Sequence, residues 1–380
     1  MKVVASVVTL LILLCATIAG AGDGEVKKVK CYGVGVLGNC CTHGAGACGA
    51  FMRRTDTRVV AAYEKNERRA QELAKVLGAP LAKSYEDVIR RPEVDIVVVT
   101  CDPCDKAEMV EKAAAAGKHI WLNKPFCESL DSARRIAEAV REHKVWLVHD
   151  VPMVRFVPVY ARLLEEVRSG KRGKVMGYHH LFGMNFPPDF NLKAAWPERL
   201  DPPEKSGGGE MTNMGCYAID YAVSLFGRPK AVTAKCRKTW DVYQEANVEN
   251  FGQIALDYGD FFAFLDVGKQ QLEKERRHSN AMTINFEHET VYIDAPAGVV
   301  TINHVPQDFN KFAEGAKAVG SVEQLIAAIE NGTAPTSNAE TGVLGVEVLM
   351  AAYQSIVEGR TVSLPLASGK NPLVELRGRK

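Results

Sequence analysis

The sequence has almost no charge excess. Its 47 Lys and Arg are balanced by 46 Asp and Glu, leaving a formal net charge of +1. That balance gives no support to a nucleic-acid or other polyanionic partner. A cysteine framework is also missing. Of ten cysteines, Cys15 lies in the N-terminal apolar run, and an odd number without scaffold spacing remains after it. Such usage points away from a disulfide fold and towards a reducing compartment. Cys101 and Cys104 have CxxC spacing, but no second pair of ligands at zinc spacing accompanies them, so no metal site is expected. The uncharged run VVASVVTLLILLCATIAGAG follows Met1-Lys2, with small residues at Ala19-Gly20-Ala21. Residues 1–24 therefore read as a signal peptide or membrane anchor, which implies export or anchoring. No twin arginine precedes the run, and a cytoplasmic enzyme with a misassigned start is the alternative.

What is present is ordinary globular material: 47% hydrophobic and 24% charged residues over 380 positions, enough for two domains. The first is expected over residues 27–150. The stretch KKVKCYGVGV reads as a strand and runs into Gly33-Val34-Gly35-Val36-Leu37-Gly38, a GxGxxG pattern. A small-residue helix follows to about Arg54, and RVVAAY (58–63) reads as a second strand ending at Glu64. This order suits a Rossmann unit, in which glycines admit a pyrophosphate and a strand-end acid takes the ribose hydroxyls. Gly33, Gly35, Val36, Leu37, Gly38 and Glu64 are the expected cofactor contacts. Glu64 lies 26 residues past Gly38 and favours NAD. Lys65, Arg68 and Arg69 keep NADP as the alternative. Apolar strands at 94–100, 119–122 and 145–148 alternate with helical stretches at 106–117 and 129–144, as in a doubly wound parallel sheet. Thr100 and Cys101 end one strand and, with Asn123 and Lys124 on the next, are further expected cofactor contacts, as are Lys65 and Arg69. Asn123 and Lys124 end the next, and Pro125 holds the lysine in extended backbone.

Two later motifs carry a family resemblance. AGKHIWLNKP resembles the AGKHVxxEKP motif of the Gfo/Idh/MocA oxidoreductases, with Asn123 in place of Glu. GGGEMTNMGCYAID (207–220) resembles their GGGxLxDxGxHxxD motif, and SVEQLIAAIENG with the closing VSLPL is similar to their C-terminal end. The resemblance implies an α/β protein with an N-terminal Rossmann domain. Over 151–370 it implies a second α/β domain with a large open, mostly antiparallel sheet. That sheet commonly forms a subunit interface, so a homo-oligomer, dimer or tetramer, is expected. Alternating stretches from 175 to 294, with a hairpin turn at Tyr258-Gly259-Asp260, agree.

The resemblance also implies chemistry. The glycines would form a loop beside the nicotinamide. Asn213, Tyr217 and Asp220 fall at i, i+4 and i+7, on one helical face beside Lys124. Tyr217 takes the position of the family's usual His, as acid/base. Lys124 would orient the substrate oxygen and stabilise its charge. Asn213 replaces the usual Asp and can still bond a hydroxyl. Arg155 would reach substrate or form an interdomain ion pair. Asp220 would be catalytic or would hold the helix. His180 would line the cleft or be structural, and 196–205 would be a lid. The implied reaction moves hydride between NAD(P) and a sugar, polyol or cyclitol. An NAD-retaining glycoside hydrolase and a non-catalytic binding protein are the competing readings.

Overall fold

Buried β-branched runs build the first sheet of the computed structural model, which describes residues 30–375 except 41–42, 79, 188 and 270–276. The expected leader lies outside the described residues. The five strands are β1 (Tyr32–Leu37), β2 (Thr57–Tyr63), β3 (Ile96–Val99), β4 (His119–Asn123) and β5 (Leu147–Asp150), in parallel order β2-β1-β3-β4-β5. The IVVV run of β3 is fully buried, as expected for a strand covered on both faces. The order reverses at β1, so the crevice beyond the carboxyl ends of β1 and β3 is the switch point where such sheets take ligands. Gly38, Thr100 and Lys124 all follow strand ends on that edge. Helix α1 (His43–Met52) follows β1, and α2 (Glu67–Leu77) follows β2 with Asn66 as its N-cap.

The second sheet holds β6 (Val175–Asn185), β7 (Ala231–Arg237), β8 (Phe251–Asp257), β9 (Phe262–Gly268), β10 (Arg277–Phe286), β11 (Thr290–Asp294), β12 (Val299–Ile302), β13 (Val305–Gln307) and β14 (Val362–Ser363). Its order among the described residues is β13-β12-β11-β10-β6-β9-β8-β7-β14, antiparallel except for β6 and β9. Alternation sets its two faces. Tyr178, His180 and Phe182 of β6 point inward, under the helix Gly215–Phe226, while His179 points out. The long helix Ala339–Glu358 packs on both β7 and the helix Leu130–Glu142, tying the two sheets together. The helix Ser321–Asn331 returns to the first sheet, where Ser321 Oγ accepts from Trp121 Nε1 at 2.9 Å.

Candidate active site

The dinucleotide loop corrects the expected register. Gly33, Gly35, Val36 and Leu37 are interior residues of β1, all buried. A Cβ at Gly33 would lie 1.7 Å from Glu93 O, and one at Gly35 would lie 2.6 Å from a Val88 methyl. Those two glycines serve strand packing, not phosphate approach. The turn itself begins at Gly38 (φ 97°) and ends at α1. Gly44, in the first turn of α1, is the close-packed glycine: a Cβ there would meet Gly38 O at 2.2 Å. It lies 20 residues before Glu64, the usual spacing to a ribose-binding acid. The misreading arose because a glycine-rich strand precedes the turn, while Cys40 and His43 stand where glycines are the rule.

Backbone hydrogen bonds brace this turn. Gly38 N donates to Tyr63 O and Cys40 N to Thr100 O. Asn39 N donates to Glu64 Oε2 at 2.6 Å, and Thr100 Oγ1 to Gly38 O at 2.6 Å. α1 turns its N-terminus to this loop, where helix N–H groups favour an anion, with Ala45 N taken by Asn39 Oδ1 at 2.9 Å. This arrangement fits a dinucleotide, and Glu64 holds the loop by accepting from Asn39 N and Asn66 N. Arg69 does not stand ready for a 2′-phosphate. It donates to Asp102 Oδ1 at 2.6 Å and to Glu64 Oε1 at 3.1 Å. Lys65 pairs with Asp105 and, at 3.5 Å, with Asp102. Burial alone would raise the Asp102 carboxyl, but Arg69, Lys205 and Lys65 outweigh it and hold it at about 2.

Between the sheets lies a narrow cleft. Cys40, His43, Cys101, Asp102, Asn123 and Lys124 line one wall, and Arg199, Gly208, Gly209 and Asn213 line the other. Lys124 is only 4% exposed. Its Nζ donates to Asn213 Oδ1 at 2.6 Å, and Arg199 donates to the same oxygen. The Asn213 amide nitrogen donates to Glu210 Oε2 at 2.7 Å. Glu210 is fully buried. Desolvation opposes its charge, but the ion pair with Lys269 and the nearby Arg199 keep it ionised below the usual range. The negative charge absent at Asn213 thus sits one turn earlier, on Glu210. The glycine run is required by its neighbours: a Cβ at Gly208 would meet the Tyr353 hydroxyl at 2.1 Å, and one at Gly209 would meet Glu249 O at 2.2 Å.

Tyr217 is not among the residues lining the cleft. Its buried ring stacks on Phe182, with centroids 4.9 Å apart, and turns towards the ammonium at 5.1 Å. Arg155, Asp220 and His180 are not brought to the cleft wall. Arg155 Nε and Nη2 bond both oxygens of Asp220 at 2.9 Å, and Nη1 donates to Thr336 O. His180 is fully buried between Tyr178 OH and Asn280 Oδ1. Burial pushes its ring down to about 4.

Two wall residues carry no motif. His43 Nδ1 lies 2.7 Å from Asn123 Nδ2, which fixes it as acceptor. Burial, then Lys124, Arg199 and Lys106, hold His43 neutral. Arg199 comes from the turn Pro197–Leu200 within the expected lid. That segment is tied across the cleft by Lys205–Asp102 at 3.6 Å and Glu198–Arg68 at 3.6 Å. A Pro-rich loop was the only sequence signal for it.

Comparison with known proteins agrees with this geometry. Residues 31–150 match the model of the GFO/IDH/MocA oxidoreductase family, NAD-binding Rossmann fold, and residues 160–291 match the family's C-terminal domain. The chain is 28% identical over 190 residues to an uncharacterized oxidoreductase of Synechocystis, 49% of each chain. The match thus spans about half the length of that curated relative. It is 26% identical over 320 residues to D-xylose 1-dehydrogenase (NADP(+)) 2 of Haloferax volcanii, covering 82% of this chain and 94% of that one. The WlbA dehydrogenase of Chromobacterium violaceum, solved with NADH and UDP-GlcNAcA, shares the fold. Its TM-score is 0.75 at 18% identity over 90% of this chain and 98% of that one. The Rossmann crevice, the strand-end Lys124 and the two family-model matches, which together cover more than half of the chain, make it a member of the GFO/IDH/MocA oxidoreductase family.

Proposed function

We propose that this protein moves a hydride between a nicotinamide dinucleotide and a CH–OH carbon of a small polyhydroxylated substrate. The observation that carries this is the position of Lys124: a nearly buried ammonium at a strand end, at the base of a cleft entered from the dinucleotide turn. NAD, when bound, supplies the hydride acceptor. Gly38, the start of α1 and Glu64 are the residues to hold it. The pairing of Arg69 with Glu64 and Asp102 supports NAD over NADP.

Lys124 donates to the substrate oxygen and stabilises the charge that grows as the C–H bond breaks. Asn213 Oδ1 and the ring of Tyr217 hold that ammonium in place. In this reading the hydroxyl proton passes to the neutral amine form of Lys124 or to the Tyr217 phenolate, and the ring of Tyr217, 5.1 Å from the Lys124 ammonium, also positions that lysine. The xylose dehydrogenase relative and the nucleotide sugar in the solved neighbour support a carbohydrate-like substrate. The outer face of the second sheet leaves Phe262 and Phe264 54% and 52% exposed, which supports a homo-oligomeric contact there.

The test is a titration of the purified protein with NAD+, NADH, NADP+ and NADPH, followed by a sugar and polyol screen read at the reduced-nicotinamide absorbance. Binding of NAD(H), with turnover that Lys124→Met removes, is expected. Folded protein that binds none of the four would sink the proposal.

A further inference from the structure

Asn213 stands between a carboxylate and two cations. Its amide nitrogen donates to Glu210 Oε2 at 2.7 Å, and its oxygen accepts from Lys124 at 2.6 Å and from Arg199. Glu210 is fully buried. Its other oxygen accepts from the Tyr243 hydroxyl at 2.8 Å and from Lys269, whose ammonium also donates to that hydroxyl at 2.7 Å. A carboxylate only accepts, which fixes the Asn213 nitrogen towards Glu210 and the oxygen towards Lys124. A neutral amide at position 210 has no such arrangement. Turned one way, its NH2 meets the Lys269 ammonium. Turned the other, it draws the Asn213 oxygen away from Lys124. The Glu210 charge also lies on the order of 7 Å from the Lys124 ammonium, two hydrogen bonds and one amide group away. Glu249, the neighbouring buried acid, is turned to Gly209 N, Met211 N and the Tyr353 hydroxyl. Asp150, Cys216 and His43 also feel the Lys124 charge, and Asp150 accepts from Ser321 Oγ.

We propose that Glu210 is a positioning residue of the active site: through the Asn213 amide it directs the hydrogen bond to Lys124, and its charge favours the ammonium form of that lysine. Its use in catalysis rests on the hydride-transfer reading given above; its coupling to Lys124 rests on the geometry alone. The geometry has a specific consequence. The carboxylate and the amide can exchange places. With Glu210→Gln and Asn213→Asp together, the new carboxylate accepts from Lys124 and Arg199 with one oxygen and from the new amide nitrogen with the other. The new amide oxygen then accepts from Lys269 and Tyr243. Each of these donors keeps an acceptor, and the negative charge moves into direct contact with Lys124.

The experiment follows the Lys124 side chain by NMR through a pH titration, in protein whose lysines are isotope-labelled at the ε carbon. Loss of the signal in Lys124→Met identifies it, and no substrate is needed. Wild type, Glu210→Gln and the Glu210→Gln/Asn213→Asp pair are compared, with a urea midpoint to establish that each is folded. The same set is made in a Lys269→Met background, which removes the buried ammonium that Glu210→Gln strands and so keeps the test open if the first set does not fold. The Lys124 midpoint should fall by about one pH unit or more in Glu210→Gln, because a nearby negative charge is lost. In the exchanged pair it should return to the wild-type value or above. A midpoint that Glu210→Gln leaves unmoved would overturn the proposal. So would a fall that the exchange does not reverse in folded protein. If the midpoints move as expected while the wild-type chain oxidises no sugar or polyol, the coupling of Glu210 to Lys124 stands and the hydride-transfer reading falls.

Discussion

Lys124 Nζ lies 2.6 Å from Asn213 Oδ1, and that oxygen also accepts from Arg199. Asn213 therefore acts as an anchor, not as an acid. Replacing it with Ala removes the acceptor and leaves Glu210 without its amide partner. We expect Asn213→Ala to lower kcat/KM by about 10–100-fold, the equivalent of one or two charged hydrogen bonds. NAD+ affinity should stay within a few-fold. Initial rates and a fluorescence titration on the same preparation separate the two effects.

The glycine register has its own test. Gly44→Ala places a methyl 2.2 Å from Gly38 O and 2.9 Å from Thr100 Oγ1, distorting the turn that a pyrophosphate approaches. Dinucleotide affinity should fall by an order of magnitude or more. Gly33→Ala drives a methyl against Glu93 O inside the sheet. It should cost about 2–4 kcal/mol of stability in urea unfolding, as overpacking does, while the folded fraction keeps its NAD affinity. The reverse pattern would restore Gly33 to the cofactor site.

Arg155 and Asp220 form a bidentate pair with both side chains almost fully buried. Removing one partner strands the other charge. Asp220→Ala should lose about 3–5 kcal/mol, read from the urea midpoint. The kcat/KM of the folded protein should change by no more than a few-fold. A collapse of kcat at unchanged stability would return Asp220 to the catalytic group.

Burial holds His180 at about 4, below the ordinary value. The unfolded chain then binds more protons than the folded one between pH 6.5 and 4. Stability is complete above the unfolded value and falls as pH drops through that window, by about 3 kcal/mol for this residue. Asp150, raised to about 6 by burial, works in the opposite direction. The measurement is therefore the wild-type pH slope minus that of His180→Gln. Equal slopes would show that His180 is not the source.

Much of this protein could be read from its residues alone. The alternation of buried runs and amphipathic helices set out the parallel sheet, because a strand covered on both faces must be apolar throughout. The period-two runs after residue 174 set out the second sheet, because its outer face is left to solvent or to another chain. Local spacing also put Lys124 at a strand end, but it did not show that the helix breaks at Met214, which separates Asn213, at the end of the helix Glu210–Asn213, from Tyr217 in the helix Gly215–Phe226. Long-range packing decided the rest. Whether a glycine faces a phosphate or a neighbouring strand depends on what lies opposite: Glu93 and Val88 claimed Gly33 and Gly35, and Gly38 claimed Gly44. Whether a charged residue reaches solvent, substrate or a buried partner depends on chain segments far away in sequence. Arg155 met Asp220 across 65 residues, and Lys124 met Asn213 across 89. His43 carries no pattern, and Arg199 had only the Pro-rich loop around it. They became wall residues only because two sheets and a Pro-rich segment converge on one cleft, an energetic outcome of tertiary packing that local sequence does not encode.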